Sequence, residues 1–426
     1  MGSKHSTKNS NKKLNQNELY NLENKIIEQK SNSKFKNNRT YLSCDLKNIK
    51  SKFTLKKIFS ILNKKKYLNI IKHSKKLQNR LDITIDDFEE FIPIEIEIIP
   101  VKIIFGKFIN IDEKLEQYYH IYFDNNKKEI KKYDLTEKDK VDKIKIIIDS
   151  QVTSLNHLFY QCKSIQKIYF NKFTRKNINS MGYMFSGCSS LTYIDFSHFN
   201  TYNVKNMYSM FSDCISLEEL NISNFNSKNV KDMSFMFGKC HSLKKINFSN
   251  FNTDSVEDIS YMFYKCSKLE SLDLSCFNTK NVTNMNNLFY ECSSLKEINL
   301  SSFNTNKLEE MEYMFYRCKS LEEVNVSNFN TDNVKYMKYM FSGCSSLKVL
   351  DISNFNIKKA IFMGDLFQDC SSLIELNLPN LNDKNSILRF GRLEGCPSEL
   401  KRKLGIEEKK VETQKFYHND NYKHLI

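Results

Sequence analysis

With 426 residues, 40% of them hydrophobic, the chain is long enough to bury a sizeable core and to hold two or three structural units. Its formal charge of +15 is concentrated at one end: residues 1–80 hold 21 Lys/Arg against 4 acids, residues 81–150 hold 11 against 17, and residues 151–426 hold 33 against 29. The larger, nearly neutral part therefore excludes a nucleic-acid footprint, no run is apolar and long enough to span a bilayer, and no signal-peptide pattern opens the chain.

The chain starts Met-Gly-Ser-Lys-His-Ser, which places Gly2 and Ser6 at the spacing of an N-myristoylation site. One acyl chain binds membranes only marginally, and Lys4, Lys8, Lys12 and Lys13 supply the basic patch needed beside it. This predicts an anionic membrane surface as a partner and a cytoplasmic, membrane-associated location. The rest of residues 1–40 reads as a disordered basic tail and linker.

Residues 41–80 read as two amphipathic helices, carried first by Phe53, Leu55, Ile58, Phe59 and Leu62, then by Leu68, Ile71 and Leu77. In residues 81–150, Ile94, Ile96 and Ile98 alternate with Glu95 and Glu97, predicting a small β-rich domain that caps the region beginning at residue 151. The run 143–149 (K-I-K-I-I-I-D) is expected to be the strand that closes the N-terminal end of that region.

From residue 151 a 26-residue period takes over. Cys162, Cys188, Cys214, Cys240, Cys266, Cys292, Cys318, Cys344, Cys370 and Cys396 are evenly spaced, so one unit is copied and stacked. Within a unit, Leu217, Leu220 and Ile222 end with period-two character and predict a short strand. Val230, Met233, Met236, Phe237 and Cys240 have spacings near three and predict a 3₁₀ or short helical turn opposite. The fold class expected is an α/β repeat solenoid with one parallel sheet spanning residues 151–396, closed by a cap and tail at 397–426.

Units such as N-V-K-D-M-S-F-M-F-G-K-C-H-S-L-K-K-I-N-F-S-N-F-N-T resemble the 26-residue leucine-rich repeats of the BspA-like surface-protein family. That resemblance covers residues 151–396 and implies a leucine-rich-repeat fold with a role in adhesion or protein binding, which makes a cell-surface adhesin the alternative location and function. Separately, T-L-K-K-I-F-S-I-L with K-K-L-Q-N-R-L resembles a divergent F-box, implying as a further alternative a substrate receptor of a ubiquitin ligase.

Three readings compete for the cysteines. Zinc sites need Cys or His a few residues apart, whereas no C-x-x-C occurs and the eight histidines are scattered. In a regular column each cysteine would have two equal disulfide partners. The cysteines therefore read as a buried column of small apolar residues in a reducing compartment. No phosphate-binding loop or nucleophile elbow is present, so no catalytic residue, metal or cofactor is assigned.

The column Asp195, Asn221, Asn247, Asp273, Asn299, Asn325, Asp351, Asn377 is expected to bond amide to amide between neighbours. The column Glu218, Lys244, Glu270, Lys296, Glu322, Lys348 alternates in sign and predicts a structural charge ladder. What breaks the monotony is aromatic. Tyr264, Tyr290 and Tyr316 stand two residues before successive cysteines, with Tyr261, Tyr313 and Tyr339 in a neighbouring column. Tyrosine buries area while keeping a polar tip, so these six are the candidate partner-binding residues of a non-catalytic protein-interaction scaffold. The partner is a protein of undetermined identity.

Overall fold

The structure is a computed structural model describing residues 52, 55–56, 71, 74–83, 92–124, 126–249, 251–379, 389–391 and 393–406. The chain divides between Phe91 and Ile92 into two units. In the first, helix α1 (Lys75–Leu81) begins at Ser74, whose Oγ accepts from the Leu77 N–H, and ends at Asp82 with φ 59°. Leu77 and Leu81 are its buried residues, as amphipathic spacing requires, and Asp82 pairs with Lys52 at 2.6 Å. Most of the expected helical pair at 41–80, with Gly2 and the lysines at 4, 8, 12 and 13, lies outside the described residues.

The second unit opens with β1 (Ile94–Pro100), β2 (Gly106–Lys107), a 3₁₀ helix (Glu113–Tyr118), β3 (Tyr119–Phe123), β4 (Asp134–Leu135) and β5 (Ile144–Ile148). It continues with β6 (Ile165–Lys172) and β7 (Tyr193–Asp195). Five of these form one sheet in the order β3-β5-β1-β6-β7. Ile94, Ile96 and Ile98 face the core while Glu95 and Glu97 turn outward, where they meet Lys145 of β5 and Lys143 just before it at 3.0 and 3.1 Å. The strand that borders the first repeat is β1, antiparallel to β6, and not the 143–149 run. That run is β5, held on the far side of β1 by the charge pairs just described and by its register with β1.

Beyond β7, hydrogen bonds link each residue to its equivalent about 26 positions away. On the side containing the Met and Phe residues, the expected 3₁₀ turn is replaced by a run of β-turns. In one unit the N–H of Met236 bonds the carbonyl of Met233, Gly238 that of Phe235, and Cys240 that of Phe237. Phe235 and Lys239 have φ of 60° and 61°, and every unit repeats this pair of left-handed residues four apart. A positive φ at the third turn position is the type II pattern and breaks 3₁₀ progression. It also frees alternate N–H groups to point along the stack: Met233, Phe235 and Phe237 donate to Asp258, Ser260 and Met262 of the next unit at 3.1, 2.9 and 2.9 Å. Parallel bridges run unbroken from Ser154 through Ser180, Asn206 and onward to Phe362.

The opposite side is less continuous than a single sheet. Short parallel pairs form between β6 and β7, between β8 (Glu219–Asn221) and β9 (Lys245–Asn247), and between β10 (Val349–Asp351) and β11 (Glu375–Asn377). Between β9 and β10 single bonds remain, such as Lys296 N–H to Glu270 carbonyl at 3.3 Å and Glu322 N–H to Lys296 carbonyl at 3.1 Å. Segments of three residues make few ladder bonds, so register is carried by the turn side. The array ends at α2 (Ser398–Lys403), whose Leu400 enters the core.

The interior is a set of aligned columns. Phe159, Phe185, Phe211 and their successors to Phe367 stack with ring centroids 5.3–6.3 Å apart. Thr253 Oγ1 donates to the carbonyl of Asn278 and accepts that residue's N–H, at 3.0 and 2.7 Å, and the Thr column repeats the pattern. In the first unit that place belongs to Arg175, fully buried, whose Nη1 donates to the Asp149 carbonyl at 2.7 Å and whose pKa burial lowers to about 10.

The ten column cysteines are buried, free thiols, and Cys276 outside the column is half-buried. Each from Cys188 to Cys396 donates to the carbonyl of the phenylalanine 29 residues earlier, at 3.0–3.2 Å. Burial raises their pKa values, to about 12 for Cys292 and Cys344. The Asp/Asn column differs from its expected amide ladder. Asp195, Asn221, Asn247, Asp273, Asn299, Asn325 and Asp351 each accept the N–H two residues on, at 2.8–3.1 Å. These are Asx turns, which need only an acceptor oxygen, and that is why Asp and Asn alternate freely. The charge ladder closes at Glu218–Lys244 (2.7 Å) and Glu322–Lys348 (3.0 Å).

Candidate protein-binding surface

The six candidate tyrosines project from the run of β-turns. Residues two before each cysteine form one column, and those five before form another. The second column is left-handed throughout: Tyr261, Tyr313 and Tyr339 have φ of 57°, 56° and 56°. A non-glycine residue in that conformation costs about 1–2 kcal/mol. Here the N–H groups are paired to the next unit, Tyr261 to Asn286 at 2.8 Å and Tyr313 to Lys338 at 2.9 Å. Because every unit has this strain, it belongs to the repeat; tyrosine fills the position in the second unit at Tyr183 as well as at mid-array.

The two columns merge into one aromatic face. Tyr264 stacks on Tyr290 at 4.8 Å and Tyr290 on Tyr316 at 4.7 Å, with ring planes 29° and 24° apart. Tyr313 stacks on Tyr339 at 5.1 Å, and Tyr261 and Tyr313 reach across to Tyr264 and Tyr316 at 5.5 Å each. Phe235, which the sequence reading missed, extends the face: its ring lies 5.4 Å from Tyr261 and 5.6 Å from Tyr264. It shares Tyr261's place in the repeat, and that position was the available signal. Five of the tyrosines are half-buried. Tyr316 is 8% exposed and packs between its neighbours, so it supports the face and offers a partner little surface.

Cations line this face. Lys265 lies 5.2 Å from the Tyr264 ring centroid, Arg317 is 5.0 Å from that of Tyr316, and Lys338 is 4.6 Å from that of Tyr339. Such contacts contribute on the order of 0.5–1 kcal/mol each when exposed and hold the cationic heads in place. Burial, then the Glu291 charge, raises the Tyr290 hydroxyl's pKa, and burial, then Asp365, raises that of Tyr339. Both are therefore neutral hydrogen-bonding groups at physiological pH.

A second aromatic group, also missed, joins His157, Tyr160, Tyr183 and Tyr208 at the first units, with His157 stacked on Tyr183 at 4.8 Å and Tyr183 packed edge-on to Tyr208 at 5.0 Å. On the strand side, a depression of about 820 Å³ is rimmed by Asp273, Glu297, Glu323 and Asp351 and has no aromatic anchor. Among the described residues, no group of three or more His, Cys, Asp or Glu is placed to hold a metal ion, and no helix is long and apolar enough to cross a membrane.

A sequence-family profile described as "Mycoplasma protein of unknown function, DUF285" matches residues 132–248, 213–323 and 293–387, together more than half of the chain. Among solved structures, the T. pallidum leucine-rich-repeat protein TpLRR is similar at 17% identity and a TM-score of 0.28, over 54% of this chain and 92% of that one. The TLR13–ssRNA13 complex is similar at 20% identity and a TM-score of 0.23, over 50% of this chain and 29% of that one. At these scores neither likeness carries an argument. No curated protein matches.

Proposed function

Because the chain belongs to the family described as "Mycoplasma protein of unknown function, DUF285", we propose from its own geometry that it is a non-catalytic, protein-binding repeat scaffold. On this reading the units are leucine-rich repeats of the 26-residue BspA-like type, stacked as a solenoid. The partner docks on the tyrosine face, and the observation carrying the reading is that face itself. Six tyrosines and Phe235 lie together on rigid, hydrogen-bonded turns at mid-array; the same positions hold Tyr160 and Tyr183 in the first units and residues such as Ser186, Ser212, Gly238 and Ser342 elsewhere. Aromatic side chains fixed in advance lose little entropy on binding, which is the property of an interface anchor. The cysteines support the same reading, since they are bonded to carbonyls in the core and are unavailable as nucleophiles or ligands.

The layout proposed with it is a basic tail over 1–40, a helical pair over 41–80, a β-rich cap over 81–150, the array over 151–396 and a closing cap over 397–426. The tail is the proposed membrane tether, through an acyl chain on Gly2 and the four lysines beside it. Crosslinked affinity capture from the source cell tests the main reading. Tyr264→Ser with Tyr290→Ser is expected to abolish capture of the partner while leaving the unfolding midpoint of the array within a few degrees. Unchanged capture would remove the tyrosine face from the proposal.

A further inference from the structure

Beside the tyrosine stack lies a depression of about 330 Å³ lined by His241, Lys265, Ser267, Glu291, Ser293, Arg317 and Lys319. That volume is at the lower end of small-ligand sites, which run from about 300 to 1,000 Å³. Its charge departs from the repeat. One residue before each cysteine, other units hold Gln161, Gly187, Asp213, Gly343, Asp369 and Gly395, whereas Lys239, Lys265, Glu291 and Arg317 stand on four successive units, the last three lining this depression. Glu291 lies between the two cations, 3.7 Å from Lys265 Nζ and 3.5 Å from Arg317 Nη1. Both cations are also held by rings, Lys265 by Tyr264 and Tyr290 and Arg317 by Tyr316.

With the exposed Lys319, three cations line the depression against one carboxylate, leaving two positive charges in excess. A phosphoryl group carries about −1.5 to −2 charges and three strong acceptor oxygens. Arginine presents a planar fork of donors matched to such a group, and here the fork is pre-oriented. We infer that this depression receives a phosphorylated side chain of the protein partner, with the peptide on either side of it lying on Tyr264 and Tyr290. A membrane surface or nucleic acid would need an extended field of one sign, and residues 151–426 hold 33 basic against 29 acidic residues. Glu291 offsets one of the three positive charges, and the two that remain attract a dianion more strongly than a monocarboxylate.

The inference rests on the proposed binding face, and its test separates the two. Degenerate fluorescent peptide libraries centred on phosphoserine, serine or glutamate are titrated against the full chain by anisotropy. Phosphoserine peptides are expected to bind at least about tenfold more tightly than serine peptides, and Arg317→Gln with Lys319→Gln is expected to erase that preference. Both side chains are exposed, and glutamine keeps the Cβ at each site. Glu291→Gln is expected to tighten binding of phosphoserine peptides more than of glutamate peptides, because the charge removed repels a dianion more strongly. Equal binding of phosphoserine and serine peptides, or a preference that survives the double change, would overturn the inference. So would binding of phosphatidic-acid vesicles with the same dependence on Arg317 and Lys319 and no response to peptides. If that double variant still captures the partner while the tyrosine variant does not, the binding face stands and the phosphate site falls.

Discussion

The thiol of Cys240 sits 3.0 Å from the carbonyl oxygen of Phe211, which also accepts the N–H of Cys214 at 3.2 Å. Both lone pairs of a buried carbonyl are thus used, one inside its own unit and one by the next. Removing the thiol leaves a small void and a half-satisfied acceptor. Cys240→Ala is expected to lower unfolding free energy by about 1–2 kcal/mol, measured by urea denaturation. A native column also predicts that a thiol reagent modifies none of the buried column cysteines until the array unfolds.

The same thiols impose an alkaline limit. Their ordinary pKa is 9.0, and burial raises it to about 12 for Cys292 and Cys344 in the folded chain. A raised folded pKa means that the contribution to stability is complete below about pH 9. It declines as pH rises because unfolded thiols ionise first, and it is lost by about pH 12. Thermal midpoints measured from pH 7 to 11 are expected to be flat and then to fall from about pH 9. Cys292→Ala and Cys344→Ala are expected to make the fall shallower.

The Asx turns predict tolerance of charge but not of shape. Asn247→Asp keeps the oxygen that accepts the Ser249 N–H, so its midpoint is expected to match the parent within about 0.5 kcal/mol. Asn247→Leu removes that acceptor and is expected to cost about 1 kcal/mol. Equal effects of the two changes in thermal melts would show that the turn contributes nothing.

Gly343, directly before Cys344, is the second left-handed residue of its unit at φ 76°, and a Cβ there would lie 2.8 Å from Arg317 Cγ and 3.2 Å from its Cα. Gly343→Ala is expected to destabilise the array by about 1–2 kcal/mol and to shift the Arg317 side chain. NMR chemical shifts of Arg317 Nε–H report the second effect independently of the first.

Reading the chain alone recovers the columns but not the paths between them. Leu217, Leu220, Ile222, Val230, Met233, Phe237 and Cys240 are all buried as their spacing predicts. Apolar periodicity reports which side faces inward, and that was enough for the core. The left-handed turns were not legible. Tyr261, Lys265, Glu291 and Arg317 carry none of the glycine or asparagine signature of positive φ, because bonds to the next unit, not local preference, hold them there. The role of the Asp/Asn column was misread for a similar reason, since an acceptor oxygen can serve a neighbour or its own backbone and spacing does not say which. Phe235 was overlooked because its column alternates among Ser209, Phe235, Tyr261 and Asn287, so only the ring contacts reveal the group.

The bond from Cys240 back to Phe211 makes every junction between neighbours chemically the same. Excising residues 215–240 would present Cys266 to the waiting Phe211 carbonyl, and the two cut faces would still match. Genetic loss or gain of whole units therefore changes the length of this chain without requiring any compensating substitution in its interior. Such a deletion leaves the rings from Tyr261 to Tyr339 in place, removes Phe235 from the edge of their face, and shortens their distance along the polypeptide from the amino terminus. The dimension most open to evolutionary adjustment is thus reach, with the six tyrosines carried along together.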